Sequence, residues 1–437
     1  MLFAPIMPAV SIATEVLSLK ESIAFAIEHN RMLAASATKV DKAEAEVDGA
    51  TGSLLPRVDV STGWSRTDSP LNSFGTKLQQ QRISAADFSP GILNNSAYIN
   101  NYQSRLGLHL PIFSGGALWA NRARAKHHAL AMTQGFEFHK QQLIYQTIAV
   151  YVQSRQALAQ MKATENAVNA AKKRWQDAKM LKKRGMAINS DVMDAYVHVL
   201  RSELALDENR NVYANSLESL RLIMGMDMSV ELKALQEPDM RYFPESLDAI
   251  LKDADDRRAD LLSLQHELEA AKSAHTQSQS GYFPHVGLMA AQEWNSETFG
   301  LKNRNTTVGV TVSMNLSAGG TDQAHVRAAV SEKVALEFQV GDKRQQIGNE
   351  IRQAFRGLNT AEKRFQSETE ALKQTSESLR IKSLRHGQGL EKTSDLLDAQ
   401  VRADASEVSF IRAKYDLVIA KAALLLAAGR LDEGAIQ

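Results

Sequence analysis

The 437-residue sequence predicts an α+β membrane protein built from two tandem repeats, each a β-hairpin joined to a long antiparallel coiled-coil hairpin of helices. Three observations predict it. Gly115-Gly116, Gly185, Ser190-Asp191, Asp194-Ala195 and Gly225 return, each 204 positions later, as Gly319-Gly320, Gly389, Ser394-Asp395, Asp398-Ala399 and Gly429. Strict alternation of apolar and polar residues appears at the matching place in both halves, and apolar residues recur every seventh position along stretches that lack proline. An internal duplication of this length requires each half to supply equivalent structure.

Taken in order, residues 1–13 are apolar, hold prolines but no Lys or Arg, and end in Ser11-Ile12-Ala13, a small-x-small pattern. They read as the remnant of a signal peptide, or as a disordered N-terminus. Repeat 1 spans 14–225, a linker 226–244, and repeat 2 245–437. Each repeat opens with a helical pattern, about Ser18 to Ser53 and Glu245 to Ser280, stopped by Pro56 and Pro284 because proline cannot continue a helix.

The strands follow. In the first hairpin, about 57–112, Val58, Val60, Thr62 and Trp64 alternate with Asp59, Ser61, Gly63 and Ser65. Leu106, Leu108, Leu110 and Ile112 then alternate with Arg105, Gly107, His109 and Pro111. The second, about 285–316, carries Val286, Leu288 and Ala290, then Val308, Val310, Val312, Met314 and Leu316. A soluble sandwich alternates in the same way, but segments of about ten residues suit tilted membrane-spanning strands. Trp64, Tyr98, Tyr102 and Trp294 fit an interfacial girdle, or ordinary packing aromatics. The first hairpin loop, roughly Thr67 to Asn101, is polar and longer than the second, about Asn295 to Asn305; the 24-residue difference between the repeats falls there. Four strands cannot close a barrel, so the sheet is open or several chains pool their strands.

No proline interrupts Gly116 to Gly185, which as one helix is ~100 Å long. Ile351, Leu358, Phe365, Leu372 and Leu379 form a heptad stripe, matched one repeat earlier by Met161, Val168 and Trp175. Val192, Val199, Leu206, Tyr213 and Leu220 form another, repeated as Leu396, Ala403, Phe410, Leu417 and Leu424. Such stripes predict antiparallel helical hairpins with tips near Gly185 to Asn189 and Gly387 to Lys392. Ser190 and Ser394 are placed as N-caps, with Asp191 and Asp395 beside them favouring the helix dipole.

Composition narrows the chemistry. A formal charge of +1 gives no global attraction to nucleic acid, and zero cysteines remove disulfides, thiolate metal sites and a lipid-acceptor cysteine. The histidines, including His127-His128, lack metal-ligand spacing and the methionines are dispersed, so no metal or cofactor is expected. Asp191 with Asp194, and Asp395 with Asp398, share a helix face at i, i+3. They are dipole-matching charges or, if chains surround an axis, a carboxylate ring of the kind that selects cations. No nucleophile accompanies them, so no enzyme is expected.

In order and at duplicated spacing, Leu110-Pro111-Ile112-Phe113-Ser114-Gly115-Gly116 and Thr393-Ser394-Asp395-Leu396-Leu397-Asp398-Ala399 resemble the TolC family of outer-membrane factors, the exit ducts of Gram-negative efflux pumps and type I secretion systems. The resemblance implies a homotrimer whose chains share a twelve-stranded outer-membrane barrel, in contact with lipid and continued by a helical tunnel through the periplasm. It implies a periplasmic adaptor and an inner-membrane transporter as partners, contacting the tips at Gly185, Ser190, Gly389 and Ser394. By the same resemblance Asp395 and Asp398 form the constriction, and Asp191, Lys414, His386 and Glu391 are gate contacts, with an Asp191 to Lys414 pair among them. Glu391 and His386 depart from the arginine and tyrosine that relatives can carry there. The alternative reading is a periplasmic coiled-coil adaptor or scaffold without a pore.

Overall fold

The structure is a computed structural model that describes residues 17–230, 232, 235–238, 240, 246–388 and 390–435. The signal remnant at 1–13 and the tip residue Gly389 lie outside the described residues, as do parts of the 226–244 linker. In chain order the elements are α1 (Leu19–His29), α2 (Arg31–Gly52), β1 (Arg57–Thr67), α3 (Pro70–Gln79), α4 (Pro90–Asn94), β2 (Ile99–Ser114), α5 (Ala117–Lys183) and α6 (Asn189–Met224). The second half supplies α7 (Leu247–Arg257), α8 (Ala259–Ser278), β3 (His285–Ser296), β4 (Arg304–Ser313), α9 (Thr321–Gly387) and α10 (Thr393–Ala427). Two compact units emerge: one holds residues up to Lys39, Thr133–Ser263 and Gly341 onward, the other Val40–Met132 and Leu264–Val340.

The second of these units contains the sheet. Its four strands run antiparallel in the order β1-β2-β3-β4, so neighbours in sequence are neighbours in space and both outer edges are unpaired. The register pairs Val58 with Leu108, Val60 with Leu106 and Trp64 with Tyr102, then Ala290 with Val308 and Leu288 with Val310. Since successive side chains point to opposite faces, the even-numbered positions make one apolar face. That face is bare in the single chain: Val60 is 78% exposed and Val308 70%. The odd-numbered positions, Asp59, Ser61, Gln103, Arg105 and Glu293 among them, make the other face. Alternation ends at Pro111, where the register shifts before Phe113 pairs with Val286. Ile112 therefore leaves the expected pattern, because proline has no N–H to give the ladder.

The long first loop is more ordered than its composition predicts. Pro70 opens α3 at its first turn, and Leu71, Phe74 and Leu78 give the segment a helical stripe that Asn72, Ser73 and Gly75 disguise.

In the other unit, α1 is fastened by a capping box. Ser18 Oγ accepts from the Glu21 N–H at 3.2 Å, and the Glu21 carboxylate accepts from the Ser18 N–H at 2.7 Å. Eleven residues are too few for a helix to persist alone. Burial holds it: Leu19, Ile23 and Ala26 join Ile144, Ile148, Tyr151, Leu220, Met224 and Leu431 in one core, each large side chain contributing about 2 kcal/mol. The heptad stripes are the buried faces of the long helices, with Ile351, Leu358, Val199, Leu220 and Leu424 all under 4% exposed.

Neither opening helix is continuous as expected. The chain takes extended geometry at Asn30 (φ −69, ψ 118) and at its repeat counterpart Arg258 (φ −74, ψ 103). Asn30 Nδ2 donates to the Ile223 carbonyl at 2.9 Å while its Oδ1 accepts from the N–H groups of Met32 and Leu33. Arg258 Nη1 donates to the Ala427 carbonyl at 2.9 Å. Ile223 and Ala427 are themselves 204 residues apart, so both breaks grip the end of the following helical hairpin. Gly225 and Gly429 make room for this: a Cβ on either would lie 2.5 Å from the His29 oxygen or 2.7 Å from the Arg257 oxygen, and both take positive φ.

Candidate functional site

The candidate site is the pair of helical tips. In repeat 1, α5 ends at Lys183 and Gly185 enters the left-handed region at φ +73. The Met186 N–H then donates to the Leu181 carbonyl at 2.9 Å, closing the helix end. Repeat 2 closes identically, with the Leu390 N–H donating to the Arg385 carbonyl at 2.9 Å.

The next helices begin two residues earlier than expected. Ile188 and Lys392 occupy the cap positions, so Ser190 and Ser394 lie inside α6 and α10 and are not N-caps. At the first tip the capping work falls to Asp191, whose carboxylate accepts the Ile188 N–H at 3.3 Å. A carboxylate three residues into a helix satisfies a free donor and matches the dipole at once, which leaves the serine nothing to do there.

Across each turn runs one side-chain bond at equivalent positions. Lys182 Nζ donates to Asn189 Oδ1 at 2.7 Å, and His386 Nε2 meets Thr393 Oγ1 at 3.3 Å. Only repeat 2 adds ion pairs to this clasp. Its Glu391 carboxylate, 14% exposed, sits 3.2 Å from Arg385 Nε and 3.9 Å from Lys382 Nζ. The repeat-1 counterparts of these three are Ala187, Leu181 and Ala178.

Asp395 and Asp398 stand on the first turns of α10, three residues apart. Leu396, Ala399 and Ala403 are the buried face of that helix, leaving Asp395 half-buried and Asp398 exposed. Among the described residues, neither carboxylate forms an ion pair. The expected pair between Asp191 and Lys414 is not formed within the chain. Lys414 lies 21 residues beyond Thr393, roughly 30 Å along the helix, and bonds Glu237 instead. Glu237 also accepts from Arg155 and from the Tyr415 hydroxyl at 3.2 Å. Burial works to raise the Glu237 carboxyl, but the Lys414 and Arg155 cations outweigh it and hold it below the usual range. Burial, with the Glu237 charge adding to it, pushes the Tyr415 hydroxyl up to about 12.

One set of residues escaped the sequence reading. Just above the tips, Gln400 donates to Asp404, with His198 and Arg174 contributing positive charge from α6 and α5. Burial raises the Asp404 carboxyl; it also raises Glu407, helped by the Asp404 charge. Asp404 and Glu407 repeat the i, i+3 spacing of Asp395 and Asp398, a signal the sequence held.

The fold is shared with known proteins. The chain superposes on the Campylobacter jejuni CmeC outer membrane channel with a TM-score of 0.80, covering 99% of this chain and 95% of that one at 18% identity. It is 22% identical over 395 residues to the alkaline protease secretion protein AprF of Pseudomonas aeruginosa, covering 88% of this chain and 78% of the relative. It is 23% identical over 316 residues to outer membrane protein TolC of Escherichia coli, covering 68% of this chain and 63% of that relative. The fold is thus that of the outer-membrane channel-tunnels. The family described as outer membrane efflux protein matches residues 23–226 and 250–430, and the chain belongs to it. It is a Gram-negative outer-membrane protein with a periplasmic portion, of the class that forms exit ducts for efflux and type I secretion. Among the described residues no helix is long and apolar enough to cross a membrane.

Proposed function

We propose that three copies of this chain pool their strands into one twelve-stranded barrel and their helical hairpins into a periplasmic tunnel, a passive duct opened at its tips by an adaptor and an inner-membrane transporter. The observation that carries this is the open four-stranded sheet, unpaired at β1 and β4 and bare on its apolar face. In water such edges and such a face promote aggregation; in a bilayer the face is solvated by lipid, and identical neighbours close the edges. A pore-free adaptor or scaffold gives that face no solvent.

In the trimer Asp395 and Asp398 meet their copies around the axis as a ring of negative charge at the periplasmic entrance. Asp191, His386 and Glu391 hold the tips shut from within each chain, while Lys414 acts higher up through Glu237. Adaptor contact falls on the turns that carry Gly185 and Ser190, and Gly389 and Ser394. Conductance of the purified protein in planar bilayers tests the ring: Asp395→Ala with Asp398→Ala is expected to abolish cation preference and divalent-cation block. Unchanged selectivity overturns the assignment.

A further inference from the structure

The 24 residues that distinguish the first hairpin loop from the second are folded onto one particular face of the sheet. Gln80, 1% exposed, donates to Asn101 Oδ1 at 3.0 Å and to the Asn100 carbonyl at 2.8 Å. Asn101 Nδ2 donates to Asn295 Oδ1 at 2.8 Å, joining β2 to β3 beneath the loop. Asn305 Nδ2 reaches the Gln79 carbonyl at 3.3 Å, and Arg82 pairs with Glu297, in the turn of the second hairpin, at 2.8 Å. The loop has its own internal order, since Lys77 pairs with Asp87 at 2.8 Å and Asp87 accepts the Ser84 N–H at 2.7 Å.

The register identifies the face. Asn101, Asn295 and Asn305 are all odd-numbered and share their side with Ser61, Gln103, Arg105 and Glu293. The aromatic residues of this end, Trp64, Tyr102 and Trp294, lie on the opposite, apolar side. In a barrel whose apolar side meets lipid, the side that receives the loop is the lumen.

We propose that residues 69–97 form an inward-folded constriction at the outer mouth of the duct, latched to β2 by Gln80 and to the second hairpin by Asn305 and the Arg82 to Glu297 pair. The duct then has two closures in series: the tips, worked by its partners, and this loop, held by the chain itself. Gln80 and Asn101 are buried and satisfy one another, so the latch is specific in geometry. Arg82 and Glu297 are half-exposed, so that part of it weakens with salt.

The proposal rests on the barrel reading, and one experiment separates the two. The chain has no cysteine, so single cysteines at Ser61 (polar face), Val60 (apolar face) and Thr298 (outer turn) can be labelled from outside intact cells with membrane-impermeant maleimides, one small and one carrying a bulky polyethylene glycol. The barrel requires the small reagent to reach Ser61→Cys and not Val60→Cys; equal labelling of both sinks the barrel. The constriction requires the bulky reagent to label Ser61→Cys about tenfold or more slowly than Thr298→Cys. Gln80→Ala with Asn305→Ala is expected to remove most of that difference, since losing these three hydrogen bonds raises the open population at least about tenfold. A second variant guards against misfolding: Arg82→Glu accelerates labelling, and adding Glu297→Arg restores the slow rate. Bulky labelling of Ser61→Cys at the Thr298→Cys rate, with the loop intact, overturns the constriction and leaves the barrel standing.

Discussion

Arg258 is the residue whose loss the structure makes most costly. Its side chain is 5% exposed and bonds in four directions: Nε and Nη2 to the two Asp260 oxygens at 2.8 and 2.7 Å, and Nη1 to Glu350 at 2.8 Å and to the Ala427 carbonyl. Arg258→Ala leaves Asp260, itself 8% exposed, with Lys343 as its one remaining cation, 2.7 Å away. Breaking a buried pair costs about 3 to 5 kcal/mol, and the retained lysine places this case near about 3. The counterpart Asn30→Ala loses a neutral bond and a cap, about 2 kcal/mol. Amide hydrogen exchange reads both, because about 3 kcal/mol of lost local stability is roughly a hundredfold faster opening where α7 meets α8. There is a pH signature as well. Burial acts to raise Asp260, yet Arg258 and Lys343 win and depress it below 3.8. A depressed carboxyl contributes stability above its unfolded value that is lost as pH falls through the folded one. Acid is therefore expected to loosen this break in the parent protein and to matter less in Arg258→Ala. If exchange there rises less than about threefold, or less than in Asn30→Ala, the buried ion cluster is not what holds the break.

Two further outcomes follow from the same coordinates. Asp404, raised above 3.8 by burial, binds its proton more tightly in the folded chain, so the helices just above the tips lose stability as pH rises from that value toward neutrality. Asp404→Asn is expected to flatten the pH dependence of proteolysis in this segment, and an unchanged profile contradicts the assignment. Gly429→Ala combines positive φ with a Cβ 2.7 Å from the Arg257 oxygen, whereas Gly185→Ala meets no atom within 4 Å. The first is expected to lower stability by about 3 kcal/mol and the second by about 1, read as the temperature at which the folded species is lost on heating.

What the sequence revealed was periodic. Alternation marked the strands because one face is apolar from Val58 to Val312, and sevenfold spacing marked the long helices because Ile351, Leu358 and Leu424 pack inward. Aperiodic features stayed hidden. The helical pattern runs through Asn30 and Arg258 without a proline or glycine to betray the breaks, and an amide and a guanidinium do not look like counterparts. The helix at Pro70 hid among serines and asparagines for a related reason: it is short, and its one buried side chain is Ser73, whose hydroxyl donates to the Thr67 carbonyl at 3.2 Å. Ser190 was misplaced as a cap because the helix starts two residues before the position it implied, with Asp191 accepting the Ile188 N–H; Ser394 was misplaced by the same two residues. Within the chain Lys414 pairs with Glu237, a partner the sequence did not reveal because that linker residue has no periodic relation to it.

The two repeats depart from one another at the breaks and at the tips. At the breaks, repeat 1 uses neutral Asn30 and repeat 2 the charged Arg258 cluster for the same carbonyl grip. At the tips, both repeats close with one side-chain bond across the turn, but only repeat 2 adds Glu391 against Lys382 and Arg385. Asp398 has an exposed counterpart in Asp194, but only α10 adds the half-buried Asp404, where α6 has Leu200. In the proposed trimer, moving all six hairpins alike would disturb the core that Ile144, Tyr151 and Leu220 build in each chain. In that proposed duct, opening through repeat 2 would move the hairpins whose turns hold the Glu391 ion pairs. Ion pairs can exchange partners for those of an incoming protein, whereas the apolar Ala178, Leu181 and Ala187 of repeat 1 have no charge to trade.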